Sequence, residues 1–106
     1  MTNDLDRDDV VQTLTVETFA ELVGDRFALS VGPDATIELE LIEANPLGAR
    51  PDRGRAPFSV LFRGPLAPVM PQRIYPLAHE TLGSLELFIV PIGPRDGGMV
   101  YEAIFT

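Results

Sequence analysis

His79 stands beside Glu80, and no other neighbouring pair in the chain offers acid–base chemistry near neutral pH. An imidazole titrates in that range, and an adjoining carboxylate could hold its tautomer. Adjacent residues of a strand point to opposite faces, however, so Glu80 is badly placed to orient His79. A remote Glu or Tyr would serve better. The expected role of His79 is therefore structural, at a strand end and hydrogen-bonded to backbone. Ser30, Ser59 and Ser84 carry hydroxyls, yet none lies in a G-x-S-x-G nucleophile turn. Gly93, Gly97 and Gly98 match neither G-x-G-x-x-G nor the P-loop, and they read as a hairpin turn. Asp4, Asp6 and Asp8 have the spacing that opens a calcium loop. The sixth and twelfth positions of that loop require Gly and Glu, and here they hold Asp9 and Thr15. The expectation is no enzyme, no cofactor and no metal.

Composition narrows the partners. Cysteine is absent, which excludes disulfides and thiolate metal sites. The formal net charge is -8, and all eight basic residues are arginine. Nucleic-acid binders usually present a basic patch, so a nucleic acid is not an expected partner. The charge is also divided: residues 1–53 hold 12 acids and 4 arginines, whereas residues 54–106 hold 4 of each. No apolar run reaches the roughly 18–20 residues needed to cross a bilayer as a helix. The first residues, MTNDLDRDDV, form no apolar signal core. The default expectation is a cytoplasmic protein without membrane insertion, with export as part of an assembly left open.

The elements that must position these residues are mostly strands. Residues 1–13 read as a flexible acidic lead-in and 14–106 as one β domain. Thr15 to Gly24 reads as a helix, capped by Thr15, stopped by Gly24 and apolar along Val16, Phe19, Ala20 and Val23. Alternation then marks Arg26–Val31 and Thr36–Ile42, with Phe27, Leu29, Val31, Ile37, Leu39 and Leu41 inward. Ala44 to Ala56 reads as a long loop. Phe58–Arg63 is apolar on both faces, as for a strand covered on both sides. Arg73–His79 alternates with Tyr75, Leu77 and His79 on one face, and Pro76 suggests an edge strand. Leu85–Ile92 reads as a central strand. Met99–Phe105 places Tyr101, Ala103 and Phe105 together. Without strand–helix–strand alternation, this predicts a small antiparallel barrel or sandwich of about six strands with one short N-terminal helix.

Four blocks carry a family resemblance: LTVETFAELVGDRFAL, APFSVLFRGP, MPQRIYPLAHETLGSLELFIVPIGP and MVYEAIFT. Their order and spacing resemble a family of small uncharacterised bacterial proteins, a domain of unknown function. That family shares PFSxLFRGP, a PQxxYxLxHxxLGxxELFxVPxG block and a C-terminal YEAxF. The resemblance runs from Leu14 to Thr106. Arg73 stands where the family usually has Gly, and Pro76–His79 replaces a more polar run. No activity comes with the family. The resemblance implies the setting of a tail-fibre-like or other secreted assembly.

Three functional readings follow. The first is a non-enzymatic structural or protein-interaction module that binds itself or a protein partner. Its contacts would be Leu66, Val69 and Met70 on the Pro-rich connector and Arg50, Arg53 and Arg55 in the 44–56 loop. The second is a β-barrel for a small apolar ligand, with Tyr75, His79 and Tyr101 as its polar groups. The third is an enzyme pairing His79 with a remote carboxylate. Arg63 is expected to pair with Glu86 or Glu102 across the sheet, or to face a partner.

Overall fold

A computed structural model describes residues 14–48 and 56–106. The acidic lead-in at 1–13 and the arginines Arg50, Arg53 and Arg55 lie outside the described residues.

The chain enters through α1 (Val16–Ala20), whose N-terminus carries a capping box. Thr18 N–H donates to the Thr15 hydroxyl oxygen, and Thr15 N–H donates to that of Thr18, both at 3.3 Å. The helix is shorter than its apolar spacing predicts. Gly24 N–H donates to Leu41 C=O at 2.8 Å, and Leu41 N–H to Asp25 C=O at 3.0 Å. Those bonds draw the chain into the sheet, so residues 21–24 turn instead of completing a second helical turn. Of the expected apolar face only Phe19 is buried; Ala20 and Val23 are exposed.

Six strands follow: β1 (Arg26–Gly32), β2 (Ala35–Pro46), β3 (Phe58–Gly64), β4 (Arg73–His79), β5 (Gly83–Arg95) and β6 (Gly98–Phe105). They form a closed antiparallel barrel in the order β1-β2-β3-β6-β5-β4. Closure resolves the choice between barrel and sandwich, and it leaves no strand central and none at a free edge. Pro76 nevertheless marks the weakest seam. β4 meets β1 only at Ala28↔Ala78 and Leu29↔Leu77, just past the residue that has no N–H to give. β2 and β5 run longer than predicted because their ladders bend through irregularities at Leu41/Glu43 and Pro91/Gly93. The expected loop from Ala44 is therefore strand as far as Pro46, which pairs with Phe58. Asp96 and Gly97, with φ of 52° and 85°, make the β5–β6 turn, the backbone that a two-residue hairpin demands.

Alternating positions fill the interior. Phe27, Leu29, Leu39, Leu41, Val60, Phe62, Tyr75, Leu77, Leu85, Leu87, Ile89 and Tyr101 are all buried. Phe19 closes the end that α1 enters, 5.8 Å from Phe58 and 5.3 Å from Phe105 between ring centroids. Phe58 and Phe105 stack at 4.5 Å with planes 4° apart. Phe58 through Phe62 are buried at every position, as expected of a strand covered on both faces.

Candidate functional site

His79 ends β4 beside the start of β1, with its side chain buried and its ring 4.6 Å from that of Phe27. Its Nδ1 accepts N–H bonds from Thr81 at 3.0 Å and Leu82 at 3.1 Å. A ring nitrogen accepting two donors carries no hydrogen, so the hydrogen sits on Nε2, which donates to Asp25 Oδ2 at 2.8 Å. The acidic neighbour is thus Asp25, 54 positions away in sequence, and not Glu80. Both ring nitrogens are engaged. The residue ties the β4–β5 turn to the junction of α1 and β1, beside a hollow of about 290 Å³ lined by Gly24, Asp25, Arg26, His79 and Glu80.

The tyrosines lie toward the other end. Tyr75 is four residues before His79 on the same strand, about 13 Å away at the usual strand rise. Its hydroxyl donates to Pro71 C=O at 2.6 Å, and the Tyr101 hydroxyl accepts from Met70 N–H at 2.9 Å. Tyr75, His79 and Tyr101 therefore do not converge on one polar centre. The two phenols hold the connector between β3 and β4 against the mouth of the barrel. Met70 turns inward and packs on the core, while Leu66 and Val69 are exposed.

A band of charge crosses the outside of β1, β2 and β3. Arg26 pairs with Glu38 at 2.8 Å, and Arg63 pairs with Glu40 at 3.0 Å and lies 3.8 Å from Asp96. The pairing of Arg63 corrects the expected Glu86 or Glu102: β3 lies between β2 and β6, and the β5–β6 hairpin brings Asp96 over it. Gly98 permits that approach, because a Cβ there would sit 2.5 Å from Gly64 O and 2.6 Å from Arg63 Cγ. Arg95 in the same hairpin reaches Glu43 on β2 at 2.8 Å. The Asn45 side-chain amide, and after it Arg95, holds the Glu43 carboxyl below its ordinary value against the opposing effect of burial. Arg26, Glu38, Glu40, Arg63 and Asp96 line a groove of about 370 Å³, where their charges largely satisfy one another. Among the described residues no group of three or more potential metal ligands gathers, and no helix is long and apolar enough to cross a membrane.

The outer face of β4 and β5 is different. Ile74 and Phe88 are direct cross-strand partners, and they are 62% and 53% exposed. Val90 pairs with Glu102 on β6, and Phe88 and Ile104 are the next positions on that face along their strands. Ile104 is 57% exposed. Three large apolar side chains thus project outward from three successive strands. The strand alternation already implies this. Tyr75 and Leu77 inward put Ile74 outward, Glu86 outward puts Phe88 outward, and Tyr101 and Ala103 inward put Ile104 outward. An apolar residue on the polar phase of an alternating strand was the signal, and it was masked in β5 by the surrounding apolar run.

The chain matches the family model described as a domain of unknown function, DUF6916, over residues 14–105, and it belongs to that family. No curated protein and no solved structure matches it.

Proposed function

We propose that this member of the DUF6916 family is a non-enzymatic protein-interaction module, whose barrel presents the outer face of β4 and β5 to a partner. One observation carries the reading: Ile74 and Phe88 oppose each other in register and are both more than half exposed. Single exposed apolar residues are ordinary on a protein surface, whereas grouped ones mark contact sites. Aromatic residues at the centre of an apolar patch are also the usual energetic anchors of interfaces. Leu66 and Val69 on the connector offer a second apolar point. The engagement of both His79 nitrogens supports the non-enzymatic part, since neither is left to take a proton from a substrate. The resemblance in sequence implies that the partner is a subunit of a tail-fibre-like or other secreted assembly.

Site-specific photo-cross-linking in the cells that make the protein tests this. A benzophenone side chain replacing Ile74 should give a discrete protein adduct that Phe88→Ser abolishes. The same group replacing Thr36, exposed on β2, should give none. No adduct from position 74, or equal adducts from both positions, would overturn the reading.

A further inference from the structure

The backbone at the β4–β1 seam selects the kind of partner, and the inference rests on the interaction reading above. No whole strand of the barrel lies at an edge, but half of one does. Pro76 pairs with Glu86 inside a β4–β5 ladder that runs without a register shift from Arg73↔Ile89 to His79↔Gly83. A residue without an N–H leaves a ladder intact only where its nitrogen faces away from it. The nitrogen of Pro76 therefore faces β1, and strand alternation turns the N–H and C=O of Ile74 the same way. β1 does not meet them. Its pairing with β4 ends at Leu29↔Leu77, and its register with β2 shifts between Ser30 and Gly32, an irregularity that bends a strand. Among the described residues Ile74 has no ladder partner on that side. The unladdered backbone sits at the apolar pair itself, since the Ile74 side chain is exposed and Phe88 stands opposite it on β5.

We infer that the occupant of this face is an extended polypeptide segment of another protein, which adds to the open edge of β4 as a strand. Its backbone exchanges hydrogen bonds with Ile74 N–H and C=O, the mode by which exposed sheet edges take peptides. Its residue opposite Ile74 is apolar and β-branched or aromatic, and carries the cross-strand row of Phe88 and Ile74 one strand further. Proline is barred from that position, because Ile74 C=O needs a donor. A helix cannot serve the edge, since its N–H and C=O groups are spent on its own turns. A second barrel fits less well than a slender segment, because each copy would have to bring its β4 edge past its own β1. The edge spans only Arg73 to Tyr75, so the backbone sets the direction of the added strand and the side chains of Ile74 and Phe88 anchor it.

Hydrogen exchange of the full chain reads the edge, and a peptide library reads its occupant. In the free chain the Ile74 amide should exchange at least about tenfold faster than those of Tyr75 and Leu77, whose N–H groups face β5. Equal protection would show that the edge is already bonded, and would overturn the inference. A library of random twelve-residue peptides displayed on phage is then panned on the immobilised full chain, with Ile74→Ser as counter-selection. The selected sequences should alternate Val, Ile, Thr, Tyr or Phe with other residues. A synthetic selected peptide should slow exchange at the Ile74 amide. Phe88→Ser and Ile74→Ser, both at exposed positions, should each weaken its binding about tenfold or more, the loss expected at an interface anchor. N-methylation of its central amides should weaken binding as strongly, because it removes the donors that the edge accepts. Selected peptides with apolar residues spaced three to four apart, binding indifferent to N-methylation, or a library with no peptide dependent on Ile74 would each overturn the added strand. An Ile74-dependent dimer in sedimentation would overturn it in favour of a second copy. The cross-linking result decides the interaction face separately.

Discussion

Where α1 enters the barrel, three phenylalanine rings close the end by packing on one another; at the opposite mouth, two tyrosines close it by reaching for backbone. Phe19, Phe58 and Phe105 are each almost fully buried, with Phe58 stacked on Phe105 and Phe19 tilted 43° against both. Tyr75 and Tyr101 are equally buried rings, but their hydroxyls extend to Pro71 C=O and Met70 N–H. The difference follows from what each end has to hold. A short amphipathic helix brings its own apolar side chain, so burial suffices, and its capped backbone needs little from the barrel. The connector from Pro65 to Pro71 has three prolines in seven residues. Such a chain has few N–H groups and cannot join a ladder. It is fixed instead through the two backbone groups that the phenols can reach. One end therefore depends on buried area and the other on two hydrogen bonds, and substitutions should separate them.

The largest effect should come from the packed end. Phe19→Ala removes the ring that α1 contributes and leaves a void beside the stacked pair of Phe58 and Phe105. A buried Phe→Ala change costs about 3–5 kcal/mol, so urea and thermal denaturation should both show a loss of that size. A loss below about 1 kcal/mol would mean that the barrel closes this end without α1, and the comparison would fail there.

His79 belongs to the same end but works through polar bonds, which makes it an intermediate case. His79→Leu keeps an apolar side chain in the site while removing the acceptor for Thr81 and Leu82 N–H and the donor to Asp25. Leaving donors without an acceptor costs about 1–3 kcal/mol. Denaturation should show this loss, and the Thr81 and Leu82 amides should exchange faster in the variant. Unchanged exchange at both would remove the assigned tautomer, because Nδ1 would then not be their acceptor.

How far these features could be read in advance depended on range. The strands β1, β4 and β6 follow from two-residue alternation, and it set Tyr75, Tyr101 and His79 inward. Alternation is local and says nothing about which strands become neighbours. Alternation therefore offers Arg63 only Glu86 and Glu102 across the sheet, where the fold supplies Glu40 and Asp96, and it cannot name Asp25 as the partner of His79. The helix ended early because a bond from Gly24 to Leu41 outweighed a pattern that local spacing supported. The connector was open for another reason: a proline-rich segment has no period, so nothing told Met70, which turns in, from Leu66 and Val69, which do not. The outward Ile74, Phe88 and Ile104 were legible from strand phase alone. In β5 an apolar residue on the outward phase sits within a run that is apolar on both phases, so composition there does not separate surface from core.

The smallest effect, and the sharpest test of the contrast, lies at the tyrosine end. Tyr75→Phe and Tyr101→Phe keep the rings and the buried area and delete only the hydroxyls. Each should cost about 0.5–1.5 kcal/mol, the net value of one hydrogen bond. The double variant should lose roughly the sum if the two bonds act independently, and less if either phenol alone can hold the connector. The decisive readout is local. Amide exchange at Met70 should rise in Tyr101→Phe, while exchange in the β2–β3 and β3–β6 ladders should shift only as global stability does. Connector exchange that tracks global unfolding in every variant would mean that the mouth opens only when the barrel does. The two ends would then be one cooperative unit, and the hydroxyls would serve ring orientation instead of closure. A connector released on its own would instead free Leu66 and Val69 to move relative to the barrel without disturbing Phe88.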